Sequence, residues 1–292
     1  IKALIENFVE TSAHDSKFDF GPMNTIVTHN AVDGWRFRAS GHSTANMNKH
    51  WFFGGYVAYG LDTRNVYYQG QLTYSFNEKE YLPREFPKRT LTFESSRDVM
   101  SMIEKYLHTD KDNFLTAVKW AAVNKMLFYD RQSVAFEYET DWSLKSTVEL
   151  KTERDWPAAG MSFDPYRMTE LRAEVRYAPG ETYINTKQRR YPVNLDAPSF
   201  TLGHTVGVKG VMGSKYTSNY SEARIYKRFW MRSWGKVDCM LRGGIQWNQV
   251  PYMMLCTPET NLSYITQDYT FCIINDMEFL NDRFASLIMN WD

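Results

Sequence analysis

Between residues 134 and 153 the chain reads VAFEYETDWSLKSTVELKTE, and charge follows a strict period of two. The even positions, among them Val134, Phe136, Tyr138, Trp142, Leu144, Val148 and Leu150, carry no charge. Every charge sits at an odd position: Glu137, Glu139, Asp141, Lys145, Glu149, Lys151 and Glu153. Successive side chains of a β-strand project to opposite faces, so this segment makes one apolar face and one of mixed charge. A single strand of that length would reach ~65 Å. A reversal is therefore expected near Asp141–Ser143, although good turn formers are scarce there.

The period recurs. Residues 34–44 set Trp35, Phe37 and Ala39 against Arg36, Arg38, Ser40 and His42, and residues 66–76 set Val66, Tyr68, Leu72, Tyr74 and Phe76 against Gln69, Gln71 and Thr73. Residues 169–178 oppose Leu171, Ala173, Val175 and Tyr177 to Glu170, Arg172, Glu174 and Arg176, and residues 235–247 repeat the theme around Cys239 and Arg242. Weaker strand candidates lie at 24–31, 50–60, 90–97, 114–122, 199–211, 221–231, 262–274 and 283–291. Helix is scarce: MSMIEKYLH (100–108) could form a short one. Residues 178–199 read as the longest ordered loop, and 78–90 as a second long, charged, proline-bearing one. No linker or low-complexity tract divides the chain, so a single domain is expected over 1–292, with 1–23 as a lead-in.

Alternating strands fit either a soluble sandwich, whose apolar face is core, or a membrane barrel, whose apolar face meets lipid. The candidate strands approach the ~9–11 residues of a membrane strand and exceed the ~5–6 typical of soluble sheets. Tyr, Phe and Trp make up 16% of the chain and cluster near strand ends, as in HWFFGGYVAYG (50–60); an interfacial girdle has that placement. Mean hydropathy is −0.51 and no run is long enough for a membrane helix, which is silent on barrels because half of each barrel strand faces a lumen. Lys+Arg and Asp+Glu both number 34, so no basic surplus exists to hold nucleic acid. The opening IKALIENFVE lacks the features of a signal peptide, so an exported form would be a mature form or a fragment.

Little catalytic chemistry is legible. The six histidines form no HExxH motif and no convincing metal spacing, and no cofactor is expected. Cys239, Cys256 and Cys272 are odd in number and lack a CxxC; Cys239, on the apolar face, reads as a small buried hydrophobe. Gly41-His42-Ser43-Thr44-Ala45 is a loose nucleophile-elbow match without its final glycine or a following helix. GVKGVMG (207–213) follows no βαβ pattern, so its glycines read as strand bending or close approach. Arg36, Arg38, Glu137, Glu139, Lys145, Glu149, Lys151, Arg172, Glu174, Arg176 and Arg242 share the charged faces. Long side chains of both signs would pair across a narrow lumen and fill it. In the 178–199 loop, QRRYP offers Arg189, Arg190 and Tyr191 as a partner contact, since Arg and Tyr are enriched at binding hot spots.

The segments SKFDFGPMNT (16–25), GYVAYG (55–60), APGETYINTKQRRYPVNLDAP (178–198) and EFLNDRFASL (278–287) resemble the C-terminal region of Bacteroidota outer-membrane proteins. Those proteins carry a non-catalytic carboxypeptidase-regulatory-like sandwich followed by a domain of unknown function. The resemblance covers nearly the whole chain and implies a barrel in the outer membrane of a Gram-negative bacterium, distantly similar to the BamA and TamA type. The expected fold is an all-β, antiparallel transmembrane outer-membrane β-barrel of about 12–16 strands. The expected role is that of an anchor or component of an outer-membrane assembly or uptake complex with no catalytic activity. Its partners would be the lipid bilayer and other outer-membrane proteins or lipoproteins. A pore or transporter, a barrel-borne Ser/His hydrolase and a soluble sugar-binding β-protein are the alternatives.

Overall fold

The structure, a computed structural model, describes residues 8–12, 15–102, 123, 125–187, 190–261, 263 and 269–292. Short strands β1 (Val9–Glu10), β2 (Phe18–Phe20) and β3 (Val27–Asn30) lead into the long ones. These are β4 (Gly34–Ser43), β5 (Trp51–Gly60), β6 (Val66–Ser75), β7 (Arg89–Ser101), β8 (Met126–Glu139), β9 (Leu144–Pro157) and β10 (Tyr166–Tyr177). A small hairpin of β11 (Tyr183–Asn185) and β12 (Arg190–Pro192) intervenes before β13 (Ser199–Gly207), β14 (Ser218–Trp230), β15 (Lys236–Gln246) and β16 (Arg283–Trp291). The fold is all-β, and apart from the small hairpin the strands of the described residues form one 14-stranded antiparallel sheet. Each long strand pairs with its neighbour in the chain, with β10 passing to β13, while β2 and β3 both lie against β4.

The expected reversal is a turn over Thr140–Ser143, where the Ser143 amide donates to Thr140 O and Ser143 takes φ 64°. Its register pairs Phe136 with Val148 and Val134 with Leu150. Even numbers thus meet even numbers, and one apolar face runs unbroken through both strands. The expected strands at 34–44, 50–60, 66–76, 169–178, 199–211, 221–231, 235–247 and 283–291 all have counterparts within a few residues.

Five expectations are corrected. The candidate at 90–97 continues to Ser101, because Val99 and Met100 are both buried and their apolar run hid the alternation. Met100 and Ser101 are therefore strand and Met102 is a turn residue where a helix was expected; residues 103–108, like the 114–122 candidate, lie outside the described residues. The 178–199 segment is not the longest connection and contains the β11–β12 hairpin. Residues 247–282 are longer, and the described part of the 262–274 candidate makes only an isolated bridge, Thr260 with Phe271. Cys239 is half-buried on the outward apolar face.

The sheet is inverted relative to a soluble one. Phe136, Val148 and Leu150 are 40–45% exposed, whereas Glu139 and Glu153 on the same hairpin are 3% and 4% exposed. Arg36 on β4 donates to Asp98 on β7 at 2.6 and 2.8 Å. On a flat sheet three inter-strand steps separate those strands by ~14 Å, more than the two side chains can span. The sheet therefore curves around its charged face. At one end Met100, Met102, Leu127 and Tyr129 pack with Met161, Phe163 and Met277, and Tyr166 and Met168 pack with Met253. The 247–282 connection supplies Met253 and Met277 and so folds across that end.

Curvature demands close approach of strands. A Cβ on Gly55 would lie 2.0 Å from the Gln69 carbonyl oxygen, whereas one on its partner Gly70 would meet nothing within 4 Å. We expect Gly55→Ala to destabilise the protein by at least about 1–3 kcal/mol through overpacking, and Gly70→Ala to be near neutral. Thermal unfolding midpoints of the two variants check this.

Candidate functional site

All eleven charged residues singled out in the sequence lie on the sheltered face or its rim, and the structure joins most of them into three groups. In the first, Arg36 is fully buried and forks onto Asp98, with Asp33 at 3.5 Å. Tyr56 donates its hydroxyl to the same Asp98 carboxylate, and the Arg38 guanidinium lies 3.8 Å above the Tyr56 ring. The Tyr67 ring lies 4.8 Å from the Arg36 guanidinium, so two aspartates and two aromatic rings satisfy charges that would be costly alone in a dehydrated place.

The second group is a ladder of alternating sign. Arg172 holds Glu174 at 2.7 Å, Glu174 holds Arg224 at 3.2 Å, Arg224 holds Glu222 at 3.0 Å, and Glu222 holds Arg242 at 2.9 Å. Arg242 then pairs with Glu259 of the 247–282 connection. The step from β14 to β10 crosses over β13, which places Gly203 between Glu174 and Glu222. Without a side chain there, the Arg224 guanidinium reaches across. Lys151 extends the set, 3.2 Å from Glu170. Glu149 joins no ion pair among the described residues but, with Lys151, Arg172 and Glu222, lines a cavity of about 460 Å³.

The third group stands at the opposite end from the methionines. Glu137 pairs with Lys88 and, at 2.8 Å, with Lys145. Glu139 receives both guanidinium nitrogens of Arg190 at 2.7 and 2.8 Å. Arg190 lies 3.4 Å above the Tyr183 ring, which stacks on Phe86. The two long loops read from the sequence therefore meet each other. Arg176 grips Glu181 with two bonds of 2.6 and 2.9 Å. Burial pushes the Glu181 carboxyl up, but its bonds from Arg176 and Tyr183 outweigh that and hold it below the ordinary range. Lys79, buried in the 76–88 loop, donates to the carbonyls of Glu85 and Pro87 at 2.8 Å. Desolvation lowers its pKa to about 8. Of the three expected contact residues, Arg190 is thus occupied internally, Tyr191 is 47% exposed, and Arg189 lies outside the described residues.

Sequence reasoning missed Asp33, Asp98, Glu222, Arg224 and Glu259. Asp98 lay past the assumed end of its strand, and Glu259 lies in a stretch with no alternation to place it. Glu222 and Arg224 sit on β14 at the spacing of two already used elsewhere, so the same rule could have found them. The Ser43 hydroxyl accepts the Phe53 amide at 2.8 Å, and Ser43 and His42 both line a cavity of about 270 Å³. Among the described residues no group of three His, Cys, Asp or Glu side chains is placed to hold a metal.

Residues 1–253 match the family model described as the C-terminal domain of a family of unknown function, DUF5686. No curated protein matches the chain. Asp98 is the most exacting of the residues described above, since Arg36, Tyr56 and the backbone of Val99 all converge on it. We expect Asp98→Ala to cost about 3–5 kcal/mol by stranding a buried guanidinium. A companion Arg36→Met/Asp98→Leu double replacement should recover much of that loss. Unfolding midpoints of the single and double variants test the coupling.

Proposed function

The chain belongs to the DUF5686 family, and we propose that it is an integral β-barrel of the outer membrane of a Gram-negative bacterium, distantly similar to the BamA and TamA type. In this reading the barrel follows a carboxypeptidase-regulatory-like sandwich in the whole protein. It acts without catalysis, as an anchor or component of an envelope complex. The observation that carries the reading is the inverted burial: large apolar side chains are exposed where ionised ones on the same strand are sheltered. Water would penalise that arrangement twice. Each exposed apolar side chain forgoes about 1.5–3 kcal/mol of burial, and each sheltered charge loses hydration. Lipid removes the first penalty, and the ion-pair ladders offset the second.

A transporter or open pore is the alternative, and the side-chain pairing argues against it. The Arg172-to-Glu259 ladder crosses the sheltered space, and a methionine cluster packs at one end. A barrel of this strand number is narrow; wide aqueous channels appear at about 16–18 strands. A component that conducts nothing acts through its surfaces. The joined 76–88 and 178–198 loops, with Tyr191 exposed, form the surface we assign to partner proteins or lipoproteins.

One set of measurements decides the matter. Val148 is 45% exposed on the apolar face and Thr147 is its neighbour on the other. We expect Val148→Lys to cost about 2–4 kcal/mol in lipid and Thr147→Lys to be mild, read as refolding stability in vesicles. Equal effects at the two sites would reverse the face assignment. Detergent-purified protein should migrate differently before and after boiling and should conduct no stable current in planar bilayers. Solubility without detergent would remove the barrel reading, and a large single-channel conductance would promote the pore.

A further inference from the structure

Across the outward face of β7–β10 the register aligns two unusual rows. Ser95, Gln132, Thr152 and Thr169 are cross-strand partners in sequence, and the row continues through Gly70 and Gly55. Small and polar residues here interrupt an otherwise bulky apolar face. The result is a hollow of about 610 Å³ walled by Phe53, Leu72, Phe93, Val134 and Leu150, with Met212 of the β13–β14 turn at its edge.

Two residues along each strand, ~7 Å away, runs the second row: Arg97, Asp130, Arg154 and Arg167. All three arginines are exposed. Among the described residues none of them has an ion-pair partner within 4.0 Å, and Asp130 instead accepts a hydrogen bond from Gln132 Nε2. Arg154 and Arg167 stand directly opposite one another, an arrangement that like charges destabilise. On the sheltered face, by contrast, Arg36, Arg131, Arg172, Arg224 and Arg242 are matched with acids. This row carries three positive charges against one negative on a face that is apolar beyond it. Trp156 lies under the Arg97 guanidinium at 5.7 Å and stacks on Phe128, which puts aromatic rings where a membrane interface favours them.

We propose that this place binds an anionic phospholipid. The phosphate lies across Arg97, Arg154 and Arg167, whose planar forks suit its oxygens, and one acyl chain fills the hollow beside Leu72, Phe93 and Val134. The lipid supplies the counter-charge that the row lacks and the apolar filling that the small residues leave out. The inference rests on the membrane-barrel reading above and adds to it a specific occupant.

The test uses the detergent-purified chain with phosphatidylglycerol and phosphatidylcholine of identical acyl composition, read by native mass spectrometry. Phosphatidylglycerol should be retained in preference, and each of Arg97→Gln, Arg154→Gln and Arg167→Gln should weaken it about fivefold. Gly70→Leu, which projects into open space, should fill the hollow and weaken both lipids with no change of charge. Arg283→Gln, exposed elsewhere on the same face, should leave retention unchanged. Equal retention of the two lipids by the native chain overturns the site, as does phosphatidylglycerol binding that survives the triple arginine replacement. Displacement by inorganic phosphate together with indifference to Gly70→Leu also overturns it, marking a free-anion site. Boiling-dependent mobility on the same samples separates the two readings. Heat-modifiable protein without lipid preference loses the site alone, whereas protein soluble without detergent loses both.

Discussion

Sheltered charge must meet opposite charge, and that requirement governs this molecule. Burying an ionised group costs several kcal/mol unless a partner and hydrogen bonds answer it. Most large apolar residues of the long strands point outward, so beyond the methionine end the space within the curve of the sheet is left mainly to arginines, lysines and acids. Asp98 answers Arg36 across two intervening strands, and five successive pairs link Arg172 to Glu259. Such pairs add little net stability over a hydrophobic filling. Their effect is on geometry: each one fixes which strands approach and how far the sheet bends.

The long connections obey the same rule at the two ends. At one, residues 247–282 bring Glu259 to the ladder and Met253 and Met277 to the apolar clusters, so the segment is tied by both charge and packing. At the other, the 76–88 and 178–198 loops hold each other through Arg190, Glu139, Phe86 and Tyr183. Among the described residues, rings, a guanidinium and a carboxylate make the junction between them.

Much of this was legible in the sequence because a period of two is a strong signal. The alternation in 134–153 gave the strands, the turn and the identity of both faces, and the outward exposure of Phe136, Val148 and Leu150 agrees with it. The signal failed where both faces become apolar or neither does. Val99 and Met100 are buried on opposite sides of β7, which hid Asp98 and made a strand end look like a helix start. The described part of 247–282 carries one short 3-10 turn and two isolated bridges, so no periodicity announced Glu259 or Met277. The arginine row of β7, β9 and β10 depends on register across three hairpins, and register is invisible in any one segment.

The turn at Thr140–Ser143 has a consequence for how this chain can change over evolutionary time. Its length keeps even residues of β8 opposite even residues of β9. One inserted residue would rotate all of β9 by half a period, sending Val148 and Leu150 inward and Glu149 and Lys151 outward, unless a bulge absorbed it. Length variation at this turn is therefore quantised in steps of two. The 178–198 connection is long enough to take up an odd residue, so related chains should vary freely there and only in pairs at the short turn.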